Sequence, residues 1–336
     1  MPTRIAPIRI LIALTLLLGG VCFAESVERK NLATGVYLGE YSTNWPRCVF
    51  MDSSESKVSI AVTPNVGGRI VSYSLNGDNI LFDGAAVGRR NMAGGYQCDI
   101  GPETLDLPEH PVLWSGGNGW QFKPWNVKLM SDPDDVTGVE IDKEITLEPD
   151  TGELGLTQWI KNISTNDVSY CIWDRTLCKS GGFVFFRLNP ESFYPSGWAI
   201  HPEFDASFHF EKGKYSSPHI KNMDGVLVIE ANGKPTQIGA DSRDGWIAYV
   251  RGDLLFVKYF QVFPKADYTD DANTIEIFFN EQVAELQLLS PEVALKPKQN
   301  YSFPEKWTLI HLDKRVTTFK QARKLADKIP PSPFKN

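Results

Sequence analysis

Three stretches of the chain gather side chains able to work on a polar ligand built on a ring. Gly101-Pro102-Glu103-Thr104-Leu105-Asp106-Leu107-Pro108-Glu109-His110 holds three carboxylates and a histidine, with Trp114, Trp120 and Trp125 close behind. Carboxylates accept hydrogen bonds from hydroxyl groups, and an indole face covers the apolar C–H face of a sugar ring. A proline-stiffened surface loop, pinned down by its tryptophans, accounts for the same residues. Trp173-Asp174-Arg175 is the second cluster, and an ion pair buried at a strand end is its plain alternative. The third, His201-Pro202-Glu203-Phe204-Asp205 with His209 and Glu211, offers nitrogen and oxygen ligands. It has no HExxH and no evident helix to hold ligands together, so no metal centre is expected. Upstream of it, Tyr194-Pro195-Ser196-Gly197-Trp198 reads as an aromatic turn at the rim of a cleft. No Gly-x-Ser-x-Gly and no phosphate-cradling Gly-rich loop is present, and no cofactor is implied.

The elements that must position these groups are strands. Val58, Ile60 and Val62 alternate with polar residues, Ile70–Leu75 follows, and Asn76-Gly77-Asp78-Asn79 makes a hairpin-type turn. Val139, Ile141, Ile145 and Leu147 share one parity, as do Leu154, Leu156 and Ile160, and then Val168, Tyr170 and Ile172. Further runs follow at 183–188, 246–250, 254–260, 275–279, 283–289 and 301–312. Period-two alternation over so many short segments predicts an all-β fold, a large antiparallel sandwich with solvated outer faces. Glu285 and Gln287 share one side of their strand, opposite Ala284, Leu286 and Leu288. A solvated glutamate on an outer face is the alternative to a functional one there, and a turn-flanking arginine in a surface ion pair is the alternative for Arg69. Only Phe319, Ala322, Leu325 and Ile329 fall at helical spacing, after Thr318 as N-cap and before Pro330-Pro331. Residues 84–125, rich in Gly, Pro and Trp, read as a long irregular and functional segment on the β scaffold.

Composition narrows the partners. The 336 residues carry 34 Lys+Arg against 41 Asp+Glu, a net charge of −7, so the basic face that nucleic acid requires is missing. Arg4 and Arg9 precede the apolar run Ile10–Leu18 and small residues ending at Ala24, the order of a cleaved secretory signal rather than a membrane span. Removing residues 1–24 takes away two arginines and no acid, leaving 32 basic and 41 acidic residues, net −9. An exported chain, periplasmic or extracellular, is the expectation. Its organisation reads as a signal over 1–24, an N-terminal extension over 25–56, one sandwich domain over 57–316 and a helix with a tail over 317–336. Cys48, Cys98, Cys171 and Cys178 remain; three pairings or free buried thiols are open, but Cys171 and Cys178 lie in one strand and cannot reach each other there. Oligomeric state is left open.

Several short motifs, in order, carry a resemblance. Val62-Thr63-Pro64-Asn65-Val66-Gly67-Gly68-Arg69-Ile70 and then Asn76-Gly77-Asp78-Asn79-Ile80-Leu81 resemble the opening of galactose-mutarotase-like, or aldose-epimerase-like, proteins. Leu154–Lys161 running into Asn162-Ile163-Ser164 is similar to the central segment of that fold, and Glu285-Leu286-Gln287, Ser290-Pro291, Leu295-Lys296-Pro297 and Glu305-Lys306-Trp307 to its last strands. The resemblance implies a β-supersandwich whose concave face binds a mono- or oligosaccharide. In epimerases of this kind a glutamate takes the anomeric hydroxyl proton and a histidine protonates the ring oxygen, so that the ring opens and recloses. Position by position, Glu285 falls on that glutamate and Arg69 on a residue that contacts sugar hydroxyls. At the histidine this sequence departs: Trp173-Asp174-Arg175-Thr176 stands where an Asn-His pair is expected. Asp174 raised by burial, or His110 or His201 reaching in from elsewhere, would have to supply the acid. The expected site is thus Glu285, Asp174 and His110 for chemistry, with Arg69, Glu103, Trp114, Trp120, Trp173, Arg175, Trp198 and His201 holding the sugar. Three functions fit: a glycan-binding protein, an epimerase or other glycan-active enzyme, and a structural or adhesion domain.

Overall fold

The computed structural model describes residues 29–84, 94–101, 107–201, 210–213 and 215–334. The expected signal segment 1–24 and the candidate Glu103 lie outside the described residues. The chain opens with β1 (Lys30–Ala33), β2 (Val36–Gly39), β3 (Cys48–Asp52), β4 (Val58–Thr63), β5 (Arg69–Leu75) and the two-residue β6 (Asp78–Asn79). β7 (Gly95–Gly101) leads to the short helix α1 (Pro111–Ser115), then β8 (Asn118–Lys123), β9 (Asn126–Ser131), β10 (Val139–Leu147), β11 (Leu154–Asn162) and β12 (Val168–Lys179). β13 (Phe183–Arg187), β14 (Ala199–His201), β15 (Ile220–Met223), β16 (Val226–Glu230), β17 (Thr236–Ala240) and β18 (Trp246–Phe260) follow. The last part holds the one-turn α2 (Thr269–Ala272), β19 (Ile275–Phe279), β20 (Val283–Leu289), β21 (Val293–Leu295), β22 (Asn300–Val316) and α3 (Phe319–Ala326).

These strands form two antiparallel sheets, the sandwich that the alternation predicts. One has 13 strands, ordered β1-β2-β3-β4-β5-β7-β12-β20-β19-β17-β14 with β6 beside β5 and β21 beside β12. The other has nine, ordered β15-β16-β13-β18-β22-β11-β10-β9-β8. The segment before residue 57, expected as an extension, supplies β1 to β3 of the larger sheet in unbroken order. At Asn76-Gly77 both central residues have positive φ, 52° and 83°, the two-residue turn whose twist suits the β5–β6 hairpin.

Parity decides what each strand buries. In β10 and β11, Ile141, Ile145, Leu147, Leu154, Leu156 and Ile160 point between the sheets, while Asp142 turns outward to Lys161 (2.7 Å) and Lys128 (3.2 Å). The centre of the core is aromatic: Trp307 lies 5.3 Å from Phe256, 5.5 Å from Tyr96 and 5.9 Å from Tyr73, ring centroid to centroid. Helix α3 starts at Thr318, whose side chain accepts a hydrogen bond from the Gln321 amide, and buries Ala322, Leu325 and Ala326. It ends at Ala326, before Ile329. The four described cysteines are buried free thiols, with Cys171 and Cys178 in the single uninterrupted strand β12. Among the described residues no helix is long and apolar enough to cross a membrane, and no group of three His, Cys, Asp or Glu is placed to hold a metal ion.

Candidate functional site

A cavity of about 420 Å³ opens on the outer side of the larger sheet, where β5, β7 and β12 meet α1. Its polar lining is Arg69, Gln97, Asp99, Glu109, His110 and Arg175, with Trp114 as the aromatic wall. β7 explains much of it. Tyr96, Cys98 and Ile100 belong to the inter-sheet core, so alternation sends Gln97 and Asp99 to the cavity. The segment 84–125, expected to be irregular, therefore contains a fully buried strand that carries two of the lining residues.

Arg69 is placed by the two glycines before it. Gly67 and Gly68 both take positive φ, 63° and 56°, and the Gly67 amide donates to Gly116 O at 2.7 Å, just beyond α1. A Cβ on Gly67 would lie 2.1 Å from Trp114 O, so only glycine permits this approach. The turn thereby brings α1 and Trp114 against the start of β5. The Gly67 carbonyl also accepts from Lys143, a lysine on the core side of β10 whose pKa burial pushes down to about 8. Arg69 is 2% exposed, and its guanidinium donates to two carbonyl oxygens, Gly94 O at 3.1 Å and Trp114 O at 3.5 Å. Its Nε has no acceptor among the described residues. Burial first, and then the nearby Arg175 charge, lower its pKa to about 10.

His110 faces Asp99 across the cavity. Its Nε2 lies 2.9 Å from Asp99 Oδ1 and its Nδ1 lies 2.6 Å from Pro108 O. A carbonyl only accepts, so Nδ1 carries a proton, and Nε2 toward a carboxylate carries one too. The hydrogen bond to Asp99 is the main cause that raises the imidazolium pKa to about 9. Around neutral pH His110 is a cation and a proton donor.

Arg175 and Glu285 form the next pair along the sheet. The Arg175 Nε donates to Glu285 Oε1 at 2.5 Å, and the guanidinium carbon sits 4.6 Å from the Trp173 ring centroid. Trp173 is held in turn by its Nε1, which donates to Gln287 Oε1 at 2.9 Å. Glu285 is 1% exposed and lies behind Arg175, so the carboxylate that the resemblance makes a base is tied to a guanidinium. The same face continues outward as a polar row. Gln287 opposes Glu276 in the register, and Glu276 accepts from Asn273 Nδ2 at 2.8 Å and Gln237 Nε2 at 3.4 Å. His201 opposes Gln237, Gln237 opposes Phe278, and Phe278 opposes Glu285. His201 therefore shares the face of Glu285 but stands three strands away, roughly 14 Å at ordinary strand spacing.

Other expected site residues go elsewhere. Asp174 points between the sheets, because it alternates with Trp173 and Arg175. It is fully buried and paired with Lys258, away from the cavity, so it is not positioned to act on a ligand there. Trp120 lies on β8, at the edge of the nine-stranded sheet, against Phe122 at 5.8 Å. Trp198 is buried in the core with its ring 5.3 Å from Tyr215. Trp173 supports Arg175 from beside the cavity and does not line it. Gln97, Asp99, Gln237, Glu276 and Gln287 were not among the expected contacts, although Gln287 shares the parity of Glu285 and could have been found from it.

No protein-family model matches the sequence, and no curated protein matches it. Solved structures do share its architecture. A putative aldose 1-epimerase from Escherichia coli superposes with a TM-score of 0.57 at 10% identity, covering 79% of this chain and all of that one. A galactose mutarotase-like protein from Lactobacillus casei gives 0.55 at 9% identity over 78% of this chain and 100% of its own. A galactose mutarotase related enzyme from Lactobacillus acidophilus gives 0.52 at 8% identity, over 79% and 98%. The two large antiparallel sheets and their neighbours place this chain in the galactose-mutarotase-like, aldose-epimerase-like fold.

Proposed function

We propose that the protein binds a carbohydrate in the cavity between β5, β7, β12 and α1, as a secreted protein. One observation carries the reading: an aromatic wall, Trp114, shares about 420 Å³ with the buried Arg69, Gln97 and Asp99 and the half-buried His110, a set of donors and acceptors. That size falls within the roughly 300–1,000 Å³ usual for small-molecule sites, and the mix suits a ring with one apolar and one hydroxyl-bearing face. The fold it shares with proteins described as mutarotase-like and aldose 1-epimerase agrees with this ligand class.

Epimerase chemistry is the second reading, favoured by one feature: His110, protonated against Asp99, is a proton donor at the wall. Among the described residues the glutamate that the resemblance makes a base, Glu285, is bound by Arg175 at 2.5 Å. Binding without efficient anomerisation is the outcome we expect. Saturation-transfer NMR with common aldoses and uronates should detect ring protons close to Trp114, and a Trp114→Ala chain should lose the effect. Polarimetry of fresh α-glucose and α-galactose should follow the uncatalysed rate. Accelerated mutarotation, abolished by Glu285→Gln, would replace this reading with the enzymatic one. Absence of transfer to any sugar would reject the carbohydrate site.

A further inference from the structure

The ionic groups of the cavity do not all pair off. Asp99 is matched by His110 at 2.9 Å, and Glu285 by Arg175 at 2.5 Å. Glu109 stands exposed at the rim. Among the described residues Arg69 meets carbonyl oxygens alone, Gly94 O and Trp114 O, and its buried Nε meets no acceptor. Asp99 and Glu285 act on it through space, but each already has a cation of its own. A guanidinium removed from water with no carboxylate in contact is costly, and an anion delivered to it recovers that cost. Arginine is also the side chain best suited to carboxylate and phosphate groups, because its fork of N–H donors matches their oxygens. The second guanidinium, Arg175, and the imidazolium of His110 line the same cavity, but each is offset by its own acid, so the cation without a carboxylate in contact is Arg69. A neutral sugar would fill the volume and leave this charge unanswered.

Resting on the carbohydrate reading above, we propose that the preferred ligand is an acidic sugar whose anionic substituent sits on Arg69, with Arg175 and His110 on the same cavity wall. A uronate carboxylate and a sugar phosphate both offer that chemistry. No covalent step is involved.

The test is titration calorimetry of the full chain at constant ionic strength against galacturonate, glucuronate, glucose 6-phosphate, galactose, glucose and acetate. At least one acidic sugar should bind ten-fold or more tighter than its neutral parent, and whether the uronates or the phosphate do so identifies the source of the charge. Arg69→Lys, which keeps a cation but loses the fork, should cut that preference several-fold, and Arg69→Met should erase it in chains that retain the native circular dichroism. The comparison among ligands on the unaltered chain stands even if both variants fail to fold. Neutral sugars binding as tightly as acidic ones would overturn the inference and leave the carbohydrate reading intact. Acetate binding as tightly as a uronate would also overturn it. If no sugar binds, the carbohydrate reading fails and the inference falls with it.

Discussion

Two carboxyls and one ammonium share the dry space between the sheets, and their arithmetic makes a sharp prediction. The Lys258 ammonium contacts Asp174, donates to Thr176 Oγ1 at 2.9 Å, and lies 3.4 Å from Glu305 Oε2; all three charged side chains are wholly buried. Glu305 is further held by Gln158 Nε2 at 2.6 Å and Trp307 Nε1 at 2.8 Å, whereas Asp174 Oδ2 has no partner. Burial, and then the Glu305 charge, push Asp174 well above the usual carboxylate range, so its surroundings favour the protonated form. Asp174→Asn keeps the shape and the neutral state, and should change stability at pH 7 by no more than about 1 kcal/mol. Lys258→Met strands two buried acids without a cation and should cost about 3–5 kcal/mol. The pH dependence has a definite sign. A carboxyl whose folded pKa is raised binds more protons in the native state, so its contribution is fully present below the unfolded carboxylate pKa and is lost as pH rises through the folded value. Asp174→Asn should therefore gain on the wild type between mildly acidic and alkaline pH. Urea unfolding followed by tryptophan fluorescence at pH 5 and pH 8 measures both quantities. A loss above about 3 kcal/mol for Asp174→Asn at either pH, or a neutral Lys258→Met, would refute the reasoning.

Three further outcomes are expected. Gly67→Ala should cost about 2–4 kcal/mol in thermal unfolding, because a left-handed φ is combined with a carbonyl 2.1 Å from the new Cβ, whereas Gly77→Ala, with φ of 83° but open space around it, should cost only about 1 kcal/mol. His110 should titrate near pH 9 by NMR, and Asp99→Asn should return it toward 6.5; the stability it contributes is complete below about 6.5 and disappears as pH rises through about 9. Glu285→Gln should destabilise the chain by about 1–2 kcal/mol in urea, a moderate loss because the Arg175 side chain is 28% exposed and can turn to water.

The strands and the inter-sheet core were legible because one physical rule, alternation, governs both. That rule also contained the answer for Asp174. Val168, Tyr170 and Ile172 share its parity, and reading two residues further puts Asp174 on the core side with them, opposite Arg175. The chemical appeal of an acid between a tryptophan and an arginine outweighed the period. β7 was illegible for a different reason: its alternation, Tyr96-Gln97-Cys98-Asp99-Ile100, covers only five residues, is bounded by glycines and lies inside a stretch whose Gly, Pro and Trp content reads as irregular. β1 to β3 were missed because their runs are short and follow a segment with no clear period. Within the site, His110, Trp114 and Arg175 were legible from residue type and Arg69 from the resemblance, but the pairings that set their charges were not. Asp99 with His110 and Arg175 with Glu285 join residues 11 and 110 positions apart, and cross-strand register alone brings the second pair together.

The central claim, that the cavity below α1 receives a sugar, is tested most directly by a crystal structure of the full chain grown with saturating galacturonate and, in parallel, galactose. The account predicts a sugar ring against Trp114, with its polar groups on Arg69, Gln97, Asp99 and His110 and with the uronate carboxylate on Arg69. A ring bound elsewhere on the sandwich, or an empty cavity in both crystals, would contradict it.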